Sequence, residues 1–161
     1  MMTRTAPTPA EKRMGIVENK QIVRSYFDAV HRGDIDTITA LLGDDVSFWV
    51  PPSLPDGVEF RGKAMVLRLF TESVGLYDAQ AGLSVEIRSL TADEDRVAAE
   101  LIIRGRAAAG GASYENWYHF LFRIRDGRIV SIREHLDSLY AFRTLFVPSG
   151  ITERSHCKWL P

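Results

Sequence analysis

Four successive runs in the second half of the chain alternate apolar and polar side chains, and no other feature constrains the fold as tightly. "LSVEIRSL" carries Leu83, Val85 and Ile87 on one side. "RVAAELIIRGRA" carries Val97, Ala99, Leu101 and Ile103 on one side, with Glu100 and Arg104 opposite. After the turn "AAAGG", "SYENWYHFLFRI" and "RIVSIREHL" follow, joined by Asp126-Gly127, a strong two-residue hairpin signal. Alternate side chains of a strand point to opposite faces, so the four runs predict an antiparallel meander with one face on a core.

The first half has helical spacing instead. In "GIVENKQIVRSYFDAVHRGD", Ile16, Val23, Phe27 and Val30 lie near one face, with Ile22 and Tyr26 on its flank, and Gly33 suits the position that ends a helix. Asp34 or Asp36 caps a second short helix, "IDTITALL". Gly43-Asp44-Asp45 reads as a turn into the strand "VSFWV", which Pro51-Pro52 ends. "PPSLPDGVEFRG" reads as a loop. A third helix, "KAMVLRLFTESVG", carries Val66, Leu69, Phe70 and Val74 as its apolar stripe, and Asp137 caps a last helix, "SLYAFRTLF". Helices that mostly precede a run of strands indicate α+β, with helices on one face of a curved sheet and an apolar pocket between the layers.

Bulk properties narrow the function. The 161 residues favour one domain, at 45% hydrophobic and 25% charged. A net charge of −1 and the lack of a basic run give no electrostatic pull toward nucleic acid or an anionic membrane. One cysteine, Cys157, rules out an internal disulfide or a cysteine-based zinc cluster and fits a reducing compartment. Neither a signal-peptide core nor a bilayer-length apolar run is present, so a cytoplasmic location is expected. Residues 1–13 read as a disordered leader, 14–147 as an α+β barrel domain and 148–161 as a tail.

Strand parity locates the chemistry. One face of "YENWYHFLFRI" carries Tyr114, Asn116, Tyr118, Phe120, Phe122 and Ile124; the other carries Glu115, Trp117, His119 and Leu121. In the partner run, Ile132, Glu134 and Leu136 share the inner face, and Arg133 and His135 point out. An acidic residue thus stands in an apolar row, where Asn116, Tyr118 and Glu134 are expected to meet. Desolvation raises the pKa of such a carboxyl, by about 1.4 kcal/mol for each unit. It must be paired, hydrogen-bonded or partly neutral, and the last condition suits a general acid or base. The alternative is a structural ion pair with an arginine at the sheet's rim. Tyr26 either points its hydroxyl inward toward a substrate oxygen or leaves it at the rim. His119 falls on the outer face, His31 and His156 read as surface or tail, and Trp49 and Trp117 as core or subunit interface. Phe48, Val50, Phe70 and Phe120 are the apolar candidates for substrate contact.

Several signatures are missing: a glycine-rich phosphate loop, a Gly-x-Ser-x-Gly nucleophile elbow, and any His, Asp or Glu group at metal-ligand spacing. No cofactor or metal is expected. What remains is acid–base chemistry by side chains, or plain binding of an apolar ligand.

The segments "IVRSYFDAVHRGDIDTITALLGDDVSF", "GVEFRGKAMV" and "RIRDGRIVSIREHLD" resemble the nuclear transport factor 2-like superfamily, in its SnoaL-like, ketosteroid isomerase-related group. Tyr114-Glu115-Asn116 and "IREHLDSLYAFRTLFVPSG" look most like the phenazine biosynthesis A/B subgroup. The resemblance covers about Ile16 to Phe146. It implies a cone-shaped, cystatin-like fold: a strongly bent, mainly antiparallel sheet around three N-terminal helices with a short C-terminal helix, dimeric through the sheet's outer face. It also implies chemistry drawn from isomerisation, cyclisation, dehydration, epoxide hydrolysis and condensation. Glu134 occupies the place of the phenazine-type glutamate, but the third helix lacks their histidine. Tyr26 aligns with the ketosteroid isomerase tyrosine. Val50 stands where those enzymes carry an aspartate base, and the arginine–aspartate pairing of limonene-type epoxide hydrolases is not visible.

Three readings follow. The first is an isomerase, cyclase or dehydratase acting on a small apolar carbonyl compound, such as a polyketide or terpenoid intermediate of secondary metabolism. In it Glu134 moves a proton, Tyr26 or Tyr118 stabilises the oxygen, and Asn116 orients carboxylate or substrate. The second is a non-catalytic ligand-binding or dimeric accessory protein. The third is hydration of an epoxide or lactone by a water held between Glu134 and Asn116.

Overall fold

The computed structural model describes residues 15–55, 57 and 59–151. The elements are α1 (Ile16–Arg32), α2 (Ile35–Leu41), β1 (Leu42–Trp49), β2 (Glu59–Arg61), α3 (Lys63–Val74), β3 (Ser84–Asp93), β4 (Arg96–Arg106), β5 (Ser113–Arg125), β6 (Arg128–Leu136) and α4 (Ser138–Ala141). A π-helical turn (Phe142–Phe146) and a 3-10 turn (Val147–Ser149) follow.

α1 ends as its sequence demands. Gly33 takes the left-handed conformation at φ 65°, and its N–H donates to the Val30 carbonyl at 3.1 Å. Asp34 then starts α2 by accepting from the Thr37 backbone N–H at 2.9 Å and its hydroxyl at 2.7 Å. Those bonds hold its carboxyl below the usual range. The buried face of α1 comprises Asn19, Val23, Tyr26, Phe27, Ala29 and Val30. Ile16, expected on the apolar stripe, is 46% exposed because it opens the helix before α1 reaches the sheet. Tyr26, expected on the flank, is buried.

The six strands run in the order β2-β1-β6-β5-β4-β3. β1 and β6 are parallel, and the other neighbours antiparallel. The curved sheet has free edges at β2 and β3, so it does not close into the barrel read for 14–147. Along β5 burial alternates residue by residue, with Tyr114, Asn116, Tyr118, Phe120, Phe122 and Ile124 all inward. Asp126 (φ 51°) and Gly127 (φ 73°) make the two-residue turn that pins β5 to β6.

Three local expectations fail. The segment assigned to a loop contains β2, whose three residues pair with Ser47, Phe48 and Trp49 of β1; so short an edge strand leaves no periodic trace. Gly43-Asp44-Asp45 lies within β1, in an irregular stretch. β1 advances from Leu42 to Ser47 while β6 advances only from Ile129 to Ser131. The closing helix changes from α to π to 3-10 around Pro148, which lacks the N–H needed to extend the ladder. The described residues continue through Ile151, inside the segment 148–161 read as a tail. The rest of that tail, with His156 and Cys157, and the leader 1–13 lie outside the described residues.

The core is aromatic where α1 meets the sheet. Phe27 meets Phe120 at 5.3 Å and Phe122 at 5.5 Å, edge to face, and Tyr26 meets Phe122 at 5.5 Å. Such pairs contribute about 0.5–1.5 kcal/mol beyond their buried area. α3 packs on β1 and β2. Between α1, α3, the C-terminal turns and the concave sheet a hollow remains.

Candidate active site

Glu134 enters that hollow from β6. It lies directly across from Phe120, and the next inward pair is Leu136 with Tyr118. The alternation holds through the end of β6, with Arg133 and His135 exposed. Arg133 folds away over Trp49, its guanidinium carbon 4.9 Å from the ring centroid. Among the described residues the Glu134 carboxyl makes no ion pair or hydrogen bond, so the arginine-paired alternative is not what the fold builds. Removal from water, with nothing to offset it, pushes the carboxyl up to about 7. What exposure Glu134 keeps opens onto the hollow, which it lines in both of its parts.

Three phenols face it. The Tyr118 and Tyr114 hydroxyls are 2.7 Å apart, and Tyr77 packs edge-on to Tyr114 at 5.5 Å, its hydroxyl against the same pair. Burial raises all three phenols, Tyr114 up to about 12. The charge of Glu134 adds to the rise in each. Tyr26 is raised too, by burial first and then by Glu134. All four are therefore protonated hydrogen-bond donors at neutral pH. The Tyr26 hydroxyl makes no protein hydrogen bond among the described residues, and Tyr26 lines the hollow.

Asn116 corrects an expectation. It is buried, but it does not line the hollow. Its amide donates to the Tyr114 hydroxyl at 2.9 Å and to the Asp137 carbonyl at 3.0 Å. Both acceptors lie close enough to hold the amide, so Asn116 braces the phenols and does not touch a ligand. An amide N–H can only donate. Tyr114 therefore accepts from Asn116, which leaves its own proton for a neighbouring phenol and, in turn, a Tyr118 or Tyr77 proton for an oxygen in the hollow.

The other expected residues divide between the two parts. Phe48, Phe70 and Phe120 line one, of about 100 Å³, with Tyr26; Val50 lines the other, of about 280 Å³. His119 points to the outer face, and Asp137 caps α4 by accepting from the Tyr140 N–H at 3.0 Å, both as read from the sequence. No group of three or more His, Cys, Asp or Glu side chains converges in a metal-binding arrangement among the described residues.

Tyr77 gave no sequence signal. It sits in the connection between α3 and β3, bridged to Ala107. Gly105 on β4 makes room for its ring: a Cβ there would come within 2.9 Å of Tyr77 Cδ1. Tyr114 was legible as inward by parity, though not as the middle of a hydroxyl chain.

The sequence profile of the SnoaL-like domain matches residues 23–132, most of the chain. The chain belongs to the SnoaL-like domain family. Solved structures share the fold of this SnoaL-like chain. A nuclear transport factor 2-like protein from Burkholderia xenovorans superposes with a TM-score of 0.68 at 25% identity, covering 82% of this chain and 98% of its own. An LEH-like epoxide hydrolase from M. tuberculosis gives 0.65 at 24%, covering 84% and 94%. A protein with a ketosteroid isomerase-like fold from Catenulispora acidiphila gives 0.63 at 17%, covering 88% and 98%. No curated protein matches this SnoaL-like chain by sequence. Identities this low speak for architecture, and the chemistry has to be argued from the side chains above. No helix among the described residues is long and apolar enough to cross a membrane.

Proposed function

We propose that this chain is an acid–base enzyme, working without a cofactor, that enolises a small, largely apolar carbonyl compound, with Glu134 as the base. The supporting observation is the unpaired Glu134 carboxyl, open to an apolar hollow beside protonated phenols. Glu134 takes a proton from the carbon next to the carbonyl. The C–H bond breaks, an O–H bond forms on the carboxyl, and the electron pair moves onto the carbonyl oxygen. Tyr118, with Tyr77 or Tyr26, donates to that oxygen as charge develops. Return of the proton to another carbon gives isomerisation, attack by the enolate gives cyclisation, and loss of a β-hydroxyl gives dehydration. The carboxyl's position near 7 keeps both of its forms populated around neutral pH.

The phenazine-like subgroup enters this reading through Glu134 alone, since α3 has no histidine to share the work. That absence, with Val50 in place of an aspartate, supports the second reading, a ligand binder without turnover. Hydration of an epoxide is disfavoured because Asn116, needed to hold the water, is engaged elsewhere. We also propose a homodimer through the outer face of the sheet, where Trp117 is 52% exposed.

Propiophenone in D₂O tests the central step. NMR should show enzyme-dependent loss of the α-protons, with kcat/KM rising tenfold per pH unit to a plateau above about 7. Glu134→Gln should slow exchange at least about 10²-fold. Exchange by Glu134→Gln at the wild-type rate would remove the base assignment. Ligand binding with no exchange by the wild type would select the non-catalytic reading.

A further inference from the structure

The two parts of the hollow differ in their walls, and they meet at shared polar residues. Ser73, Tyr77, Tyr118 and Glu134, with Leu69, line both. Beyond this waist, one lobe is walled mainly by the rings of Tyr26, Phe27, Phe48, Phe70 and Phe120, together with the aliphatic Val30, Val74, Leu83 and Ile103. Phe120 stacks on Tyr118 at 9° between ring planes, and Phe27 stands edge-on to Phe120 at 66°. Ring faces and edges held in fixed poses along a wall favour a flat π-system laid against them. The other lobe is walled instead by aliphatic side chains, among them Val50, Leu54, Leu76, Leu136, Leu145 and Ile151, with Phe146 its one unshared ring. Glu72, ion-paired to Arg68 and half exposed, lies at its margin.

Apolar walls on both sides of a polar waist fit one kind of ligand. We propose that the substrate is a two-part molecule: a flat unsaturated ring in the aromatic lobe, an aliphatic chain in the other, and the carbonyl between them at the waist. This rests on the enolisation reading only for what happens at the waist. The ring and chain placements rest on the walls alone. In that pose the first carbon of the chain, which carries the acidic proton, lies beside Glu134, and the carbonyl oxygen lies beside Tyr118 and Tyr77.

The n-alkyl phenyl ketones from acetophenone to decanophenone provide the probe, with equilibrium binding read by calorimetry on wild type and on Glu134→Gln. Each added methylene should lower Kd about three- to fourfold until the aliphatic lobe is filled. Tryptophan placed in that lobe from its rim, Ile151→Trp or separately Glu72→Trp, should abolish the chain-length dependence. Val74→Trp, introduced from an exposed position on the aromatic lobe, should raise Kd for every ketone by about the same factor and leave the dependence on length. Thermal melts identify any variant that has not folded, and the two aliphatic-lobe variants substitute for each other. A flat series in wild type, or a length dependence that survives both aliphatic-lobe variants, would overturn the proposal. Because no turnover is measured, this failure is separate from that of the enolisation reading. A graded series in a protein that shows no proton exchange keeps the substrate class and removes the base.

Discussion

Glu134 affects stability as well as chemistry. Its folded-state carboxyl titrates near 7 against an ordinary 4.5, so between those values the folded chain holds a proton that the unfolded chain has lost. The sign follows: this residue's effect on stability is neutral below about 4.5, becomes increasingly unfavourable between about 4.5 and 7, and is constant above that. Glu134→Gln should therefore melt like wild type at pH 4.5 but be more stable at pH 8, by at most about 3 kcal/mol. Urea titrations at the two pH values check this, and equal gains at both would place the carboxyl in water. Tyr118 is predicted on different grounds. If its hydroxyl meets the developing oxyanion, Tyr118→Phe should slow propiophenone exchange about 10²-fold with little change in KM, since the stabilisation arises mainly in the transition state. Stopped-time NMR kinetics read both parameters.

At the scale of elements, the site depends on a gap in β4. Gly105 has ordinary backbone angles, so what the position requires is space for Tyr77. Gly105→Ala should push Tyr77 off Tyr114 and Tyr118 and slow exchange at least tenfold, while the melting temperature moves by only a few degrees. A Tyr77→Phe background should absorb most of the added loss, which a double-mutant cycle measures. Elements also explain what could be read in advance. The inward facing of Glu134, Tyr118 and Phe120 is legible because β5 and β6 are long and pair without a break from Tyr118–Leu136 to Arg123–Ser131, the one register shift lying next to the turn. Tyr26 was undecided because helical spacing leaves a flank residue's depth to its packing partner, here Phe122. Tyr77 is invisible in the sequence because it belongs to no periodic element, and parity places Asn116 inward without showing that it bonds Tyr114 and the Asp137 carbonyl, partners fixed by tertiary approach. β2 left no pattern to detect.

For the whole molecule, the two faces of the curved sheet differ: the concave one encloses the hollow, and the convex one is the face proposed above for pairing of two copies. Ile102, only 5% exposed on the convex face, lies in register between Glu86 and the exposed Trp117. If this face pairs two copies, sedimentation equilibrium should find a dimer, and Trp117→Glu should shift it to monomer without abolishing ketone binding. A wild-type monomer at micromolar concentration would remove the dimer from the proposal.

The parallel contact of β1 with β6 has one further consequence, for biosynthesis. Ser47 and Ser131, which meet across it, are 84 residues apart. A nascent chain leaving the ribosome must carry β1 with only the three-residue β2 beside it, and its other edge unpaired, until almost all of the domain has been translated. The helices and the β3–β4 hairpin can settle early from local contacts, but the strand bearing the carboxyl arrives last and docks the two halves together. Translation thus delivers the proposed base and the last strand of the sheet in the same step.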